Sequence, residues 1–269
     1  MSRVSSESLA QAQTLLESKL GSNPAELAKE LFAVLGIVDS NAGLRRALTD
    51  PSREGQDKAN LFSSLLDGKV SGATKEIAAQ LAGSRWGDPR DIGDALETLG
   101  ATAAISSAEK NGSEGLERLE DELFSFVRVV ASSHDVQRAL DAPQATAESK
   151  EKLAFALVPD ASEATKTLIG QAVSTPRGHK ATDLVQSFIG LVAKRQQRWI
   201  ANVSVTRPLT DEQLRRLQNG LNNLYQRDLK INVNVNPALI GGIRVEVGDE
   251  VVDATSATRL VELRRRLAS

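Results

Sequence analysis

Part of this chain is written twice, and that constrains its fold more than any other feature. Leu44-Arg-Arg-Ala-Leu-Thr-Asp-Pro51 returns 92 positions later as Val136-Gln-Arg-Ala-Leu-Asp-Ala-Pro143. Beyond each proline the spacing persists, with Lys58, Leu61, Leu65 and Leu66 matching Lys150, Leu153, Leu157 and Val158. After one deletion, Ala73-Thr-Lys-Glu-Ile77 pairs with Ala164-Thr-Lys-Thr-Leu168, and Gly87 with Gly178. Self-similarity over such a span means that one supersecondary unit has been copied. The sequence therefore predicts two related units, roughly residues 24–92 and 116–184.

Both units carry helical periodicity. Leu116, Leu119, Leu123, Phe126 and Val130 recur at spacings of three and four with Glu117, Arg118, Glu120 and Asp121 opposite, and Leu27, Leu31, Val34, Leu35 and Val38 do the same in the first unit. Asn23 before Pro24 supplies an N-cap with proline at the first helical position, and Glu26 sits near the positive end of the helix dipole. Asp50-Pro51 and Ala142-Pro143 disfavour helix at the residue before proline, and Gly87 and Gly178 are suited to left-handed caps.

After Lys194 the period changes from 3.6 to two. Ile200 or Ala201 with Val203 and Val205 reads as a strand closed by Pro208, and Lys230-Ile-Asn-Val-Asn-Val-Asn236 reads as a second. Between them Asp211–Tyr225 carries Leu214, Leu217, Leu221 and Leu224 at helical spacing. Ile243-Arg-Val-Glu-Val247 and Val251-Val252 flank Gly248-Asp249, a dipeptide suited to a tight hairpin because both positions tolerate positive φ. Thr255–Leu267 is a further apolar-striped segment ending in Arg264-Arg-Arg266, where cations suit the negative end of a helix dipole. The expected architecture is mainly α with a small α+β tail: two related helical bundle units followed by a β-α-β-β-α module. The domain division is residues 1–92, 93–195 and 196–269.

Composition agrees and narrows the chemistry. At 269 residues the chain exceeds the size at which single cores stop growing, and with only 3% aromatic residues its interior is built from aliphatic side chains, which suits helix packing. It contains no cysteine, which excludes disulfides, thiolate catalysis and thiolate metal sites and places it naturally on a cytoplasmic face. No secretory signal is expected at Met1–Leu20, and no run approaches the ~18 apolar residues of a membrane span. A net charge of -2 gives no general attraction to phosphate backbones.

Candidate chemical sites are few. Neither a Gly-x4-Gly-Lys-Ser/Thr loop nor a Gly-x-Gly-x-x-Gly turn after a strand occurs, so no nucleotide cradle is expected. His134 and His179 lie in loop-like settings without metal-ligand spacing and read as surface residues. Asp249, Glu250 and Asp253 gather at the hairpin without calcium-loop spacing, and Gly241-Gly242 reads as a bulge or close backbone packing. With two dispersed histidines there is no nucleophilic triad, so no catalytic residue, metal or cofactor is expected. Lys194, Arg195, Arg198, Arg264, Arg265 and Arg266 form the one basic set, the footing of an alternative reading as a nucleic-acid adaptor, although only Trp199 is nearby for base stacking.

Pro237-Ala-Leu-Ile-Gly-Gly-Ile-Arg-Val-Glu-Val-Gly-Asp-Glu-Val-Val-Asp253 resembles the signature of the ATP synthase delta family, called the oligomycin-sensitivity-conferring protein in mitochondria. Gly241, Gly242, Gly248, Asp249 and Asp253 hold its fixed positions, with apolar Ile240, Ile243, Val245, Val247, Val251 and Val252 between and Leu260, Leu263 and Leu267 after. The likeness extends upstream to about Ala95. The family commonly continues the last aspartate with Gly-Ser, where this chain has Ala254-Thr255; residues 1–92 exceed the usual family length and resemble the enlarged actinobacterial form.

That resemblance implies a non-catalytic stator subunit, bound through its bundle to N-terminal helices of the alpha subunits and through its tail to the far end of the b subunit, peripheral to the cytoplasmic face of the plasma membrane. It places the alpha-binding groove on the bundle's first and fifth helices, near Ala101, Ile105, Leu168 and Ala172. The periodicity itself makes one prediction: an aspartate at Leu123 or Phe126, on the apolar stripe of the second unit, abolishes its cooperative unfolding and lowers helicity by circular dichroism. Retained helicity would remove both residues from the core.

Overall fold

The structure, a computed structural model, describes residues 2–21, 23–226, 228–236, 239 and 242–253. The expected closing helix over Thr255–Leu267 lies outside the described residues. Two compact units are present, Met1–Leu191 and Val192–Ser269.

The first unit is helical throughout. Its first series is α1 (Arg3–Lys19), α2 (Pro24–Ser40), α3 (Ala42–Thr49), α4 (Gly55–Leu66), α5 (Gly72–Gly83) and α6 (Asp91–Glu109). The succession of long, long, short, medium, medium and long then starts again from α6 itself, through α7 (Gly112–Ala131), α8 (His134–Asp141), α9 (Ala147–Leu157), α10 (Glu163–Ser174) and α11 (Ala181–Gln197). α6 ends the first series and opens the second. It packs against α1, α2 and α5 on one side and α7 and α10 on the other. A helix with partners all round must be apolar or small all round. Its buried positions accordingly include Ile92, Ala95, Leu96, Leu99, Ala101, Ala103, Ala104 and Ile105. The boundary expected at 92/93 falls in the first turn of this shared helix, and the residues before and after it belong to one compact unit.

The apolar stripes behave as their spacing requires. Leu116, Leu119, Leu123, Phe126 and Val130 are the buried residues of α7, and Leu27, Leu31, Val34, Leu35 and Val38 are buried in α2. Capping repeats with the sequence. Asn41 and Ser133, 92 residues apart, accept from the backbone N–H of Leu44 and Val136 to start α3 and α8. Both short helices stop at the residue before an extended Asp50 or Ala142, each followed by proline. Gly178 takes a left-handed φ of +88°, but Gly87 does not. Gly87 serves close packing instead: a Cβ there would press on the Ser2 side chain, where the start of α1 closes onto the α5–α6 loop.

The copies also share a polar clamp. Glu30 of α2 accepts from Ser71 N, Ser71 Oγ and Thr74 Oγ1 at the start of α5. Glu122 of α7 accepts from Ser162 N, Ser162 Oγ and Thr165 Oγ1 at the start of α10. One carboxylate thus fastens the second helix of each series to the positive end of the fifth.

Among the described residues the second unit is a four-stranded sheet with a helix as its crossover. β1 (Ile200–Val205), α12 (Asp211–Tyr225), β2 (Lys230–Val235), β3 (Ile243–Val247) and β4 (Glu250–Asp253) form a sheet of order β2-β1-β3-β4. β1 and β2 are parallel, with α12 as the crossover, whereas β1–β3 and β3–β4 are antiparallel. Alternation in β1 resolves in favour of Ala201, which is buried with Val203, Val205, Val245, Val247, Leu221 and Leu229. Leu224, expected on the apolar stripe of α12, is exposed among the described residues, and Tyr225 packs against the core in its place. Four residues after Leu221, Tyr225 faces the sheet, while Leu224 is rotated away by one residue's turn of helix.

Burial disfavours the charged forms of Glu30 and Glu122, but their serine and threonine hydrogen bonds outweigh it and hold both carboxyls below the ordinary glutamate value. Their contribution to stability is therefore complete above pH ~4.5 and is lost as pH falls through the lower folded values. Glu122→Ala is expected to remove about 1–3 kcal/mol at pH 7 in urea unfolding, with the deficit shrinking toward pH 3. A deficit independent of pH would refute the clamp.

Candidate functional site

The face to which the resemblance assigns a partner helix lies between α6 and α10. Ala101 and Ile105 lie on α6 and Leu168 and Ala172 on α10, two helices in contact, and all four are interior: exposure is 1% at Ile105 and 0% at the other three. Duplication explains this. α2 packs along α6 and reaches α10, and the ring of Phe32 lies so close over Gly100 that a Cβ there would approach it to 2.8 Å. A helix of the first series thus covers much of the groove that the second would otherwise open to solvent.

An open groove of about 470 Å³ remains beside these residues, on the outer edge of α10. Phe32 of α2 and Phe155 of α9 line it together with Gly170 and Gln171 of α10 and charges of both signs, Lys29, Lys166, Glu151 and Glu163. Gln171 is buried and its amide Nε2 has no hydrogen-bond partner. The groove thus combines two aromatic rings with a spare amide donor and charged side chains.

At the start of α6 the two series are joined electrostatically. Arg177, in the loop after α10, donates from Nε to Asp39 of α2 at 2.7 Å and from Nη1 to Asp94 of α6 at 2.7 Å, with Glu97 at 3.5 Å. Its side chain is only 9% exposed, and its backbone sits at φ +52°, a conformation that a non-glycine residue adopts at a cost. Burial, then the neighbouring Asp94, push the Glu97 carboxyl above its ordinary range, with Arg177 opposing them. Sequence reading missed this cluster because its members come from three distant segments. The glutamate clamps had a visible signal, since Glu30 and Glu122 stand at the repeat offset of 92.

In the second unit the signature residues shape the backbone. Gly242 and Gly248 adopt φ +87° and +58°, the first just before β3 and the second in the β3–β4 turn, where a side chain would be strained. Asp249 completes the turn and Asp253 ends β4 opposite Arg244; Gly241 lies outside the described residues. Burial, then the hydrogen bond to Glu250, push the Tyr225 phenol up. His134 and His179 are exposed. The basic set does not assemble into a free face among the described residues: Arg195 is buried and already partnered, and Arg264, Arg265 and Arg266 lie outside them.

The described residues thus form a scaffold of two helical series sharing one helix, and a sheet unit whose signature glycines bend the backbone. Residues 100–267 match the family model for the ATP synthase delta (OSCP) subunit. The whole chain is 62% identical to the ATP synthase subunit delta of Pseudarthrobacter chlorophenolicus and 59% identical to that of Renibacterium salmoninarum, with all of both relatives covered. It is 38% identical to the Streptomyces coelicolor subunit delta, over all of this chain and 99% of that relative. This chain belongs to the ATP synthase delta (OSCP) family, whose members are non-catalytic components of the peripheral stalk.

Removing the Arg177 guanidinium leaves three carboxylates facing one another. Arg177→Met is expected to destabilise the first unit by roughly 2–3 kcal/mol, less than the ~3–5 lost from a fully dry pair because Asp94 is half-exposed. Arg177→Lys should recover little, since one ammonium cannot span carboxylates on two helices. Full recovery by lysine in thermal unfolding would show that charge alone, without the fork geometry, holds the series together.

Proposed function

We propose that this chain is the delta subunit of an F-type proton-translocating ATP synthase and serves as a stator. In this reading the helical unit grips N-terminal helices of the alpha subunits and the sheet unit grips the far end of the b subunit. The stalk then resists rotation while proton flow drives ATP synthesis. The observation that carries the proposal is family membership over the chain's full length, and the architecture supports it. Two helical series sharing one buried helix make a stiff body, which a stator needs and a catalyst does not.

The proposed seat for the alpha helix is the open groove between Phe32 and Phe155, with Ala101, Ile105, Leu168 and Ala172 forming the core beneath it. Two aromatic rings among polar and charged side chains suit an amphipathic helix that presents anchors at i, i+3 and i+4. The proposed location is the cytoplasmic face of the plasma membrane, reached through the complex; among the described residues no helix is long and apolar enough to cross a bilayer.

Titration calorimetry of the full chain against a peptide of the alpha subunit's N-terminal helix tests the reading. Micromolar or tighter binding is expected, weakened at least tenfold by Phe155→Asp at the half-buried rim with the far-ultraviolet spectrum unchanged. No binding by a folded chain would reject the alpha contact. Binding untouched by Phe155→Asp would move it to another face.

A further inference from the structure

We infer that the cleft between the start of α4 and the end of α5 is a binding site for a tetrahedral oxyanion of the phosphate class. The cleft holds about 390 Å³ and is lined by Arg53, Lys58 and Arg85, with Trp86 as a wall. Three positive charges thus face one cavity, against the single carboxylate of Glu54.

Lys58 is the decisive member. It is 3% exposed, and its ammonium donates one hydrogen bond, to Ser84 O at 3.0 Å. An ammonium carries three donors, and its other two find no acceptor among the described residues. Buried cations are ordinarily paired. Among the described residues Lys58 has no carboxylate within ion-pair distance, and burial, with repulsion from Arg85, lowers its proton affinity despite an opposing Asp50. A bound dianion would supply the missing acceptors.

The surroundings are arranged in the same sense. Arg85 is exposed, and its guanidinium has no partner among the described residues. Among the described residues Arg53 reaches only Asp50, at 3.7 Å, a carboxylate already held by the amide and hydroxyl of Ser52. Glu54 at the N-cap of α4 makes no side-chain hydrogen bond, so the first-turn amides beside the cleft are not closed by a cap.

The second series is an internal control. There the position of Glu54 is held by Thr146, whose hydroxyl accepts from Ser149 N and closes the start of α9. Arg53 and Arg85 correspond to Ala145 and Pro176. Lys58 has its counterpart in Lys150, so the two arginines are what the first series adds, and the second series folds without them.

Trp86 provides the readout. The chain has two tryptophans, so Trp199→Phe leaves Trp86 as the sole tryptophan reporter in the full-length protein. Its fluorescence is titrated with inorganic phosphate at constant ionic strength, and separately with adenosine monophosphate. A saturable change with half-saturation at or below about 1 mM is expected, raised at least tenfold by Arg85→Gln and abolished by Lys58→Met. Tenfold tighter binding of the nucleotide would assign the site to phosphate carried on a larger body; equal affinity would assign it to the free ion. Arg85→Gln, at an exposed position, keeps the test valid if Lys58→Met fails to fold. A response that sodium chloride reproduces, no saturable response, or one unaltered by Arg85→Gln overturns the inference.

Discussion

One helix satisfies two sets of neighbours, and the rest of the first unit follows from it. α6 completes one series and begins the next, so nearly every face of it is buried, and its sequence is correspondingly rich in alanine, leucine and isoleucine. Small side chains let α2 come close on one side while α7 and α10 close the other. Two bundles joined by a linker would each keep a separate core and could hinge. Sharing a helix removes that freedom, because either series can move only by pulling α6 away from the other.

Polar contacts within this body divide into two kinds. The clamps at Glu30 and Glu122 act inside each series, satisfying amides and hydroxyls at a helix start, and they weaken as acid protonates them. The Arg177 cluster ties α2 of the first series to the α6 and α10–α11 region of the second. It behaves differently with pH. Glu97, raised above its ordinary value, binds its proton more tightly in the folded state, so its own contribution falls as pH rises through the folded value. Acid therefore loosens the local clamps while relieving the crowded carboxylates around Arg177.

Membership of the delta family fits a molecule whose tightest constraints all concern shape. In the second unit, Gly242 and Gly248 are at positive φ because the chain must turn there, and buried alternating side chains fasten the sheet to α12. Duplication has a consequence for the proposed alpha contact. With α2 lying over α6, the groove available to a partner shifts outward along α10, toward side chains contributed by both series.

The sequence by itself determined the duplication, the helical stripes of α2 and α7, the caps at Asn23 and before Pro51 and Pro143, the strand alternation of the tail and the family resemblance. All of these are local or periodic signals: caps and stripes act within a few residues, and the repeat is visible as text. Tertiary structure alone decided that Ala101, Ile105, Leu168 and Ala172 are covered, since an apolar helical position looks the same whether it faces a partner or the chain's own α2. It also decided that Gly87 serves close packing rather than a left-handed cap, that Tyr225 displaces Leu224 from the core, and that Arg177 meets Asp39 across 138 residues. Such outcomes depend on which surfaces compete for the same space, and only the assembled fold sets that competition.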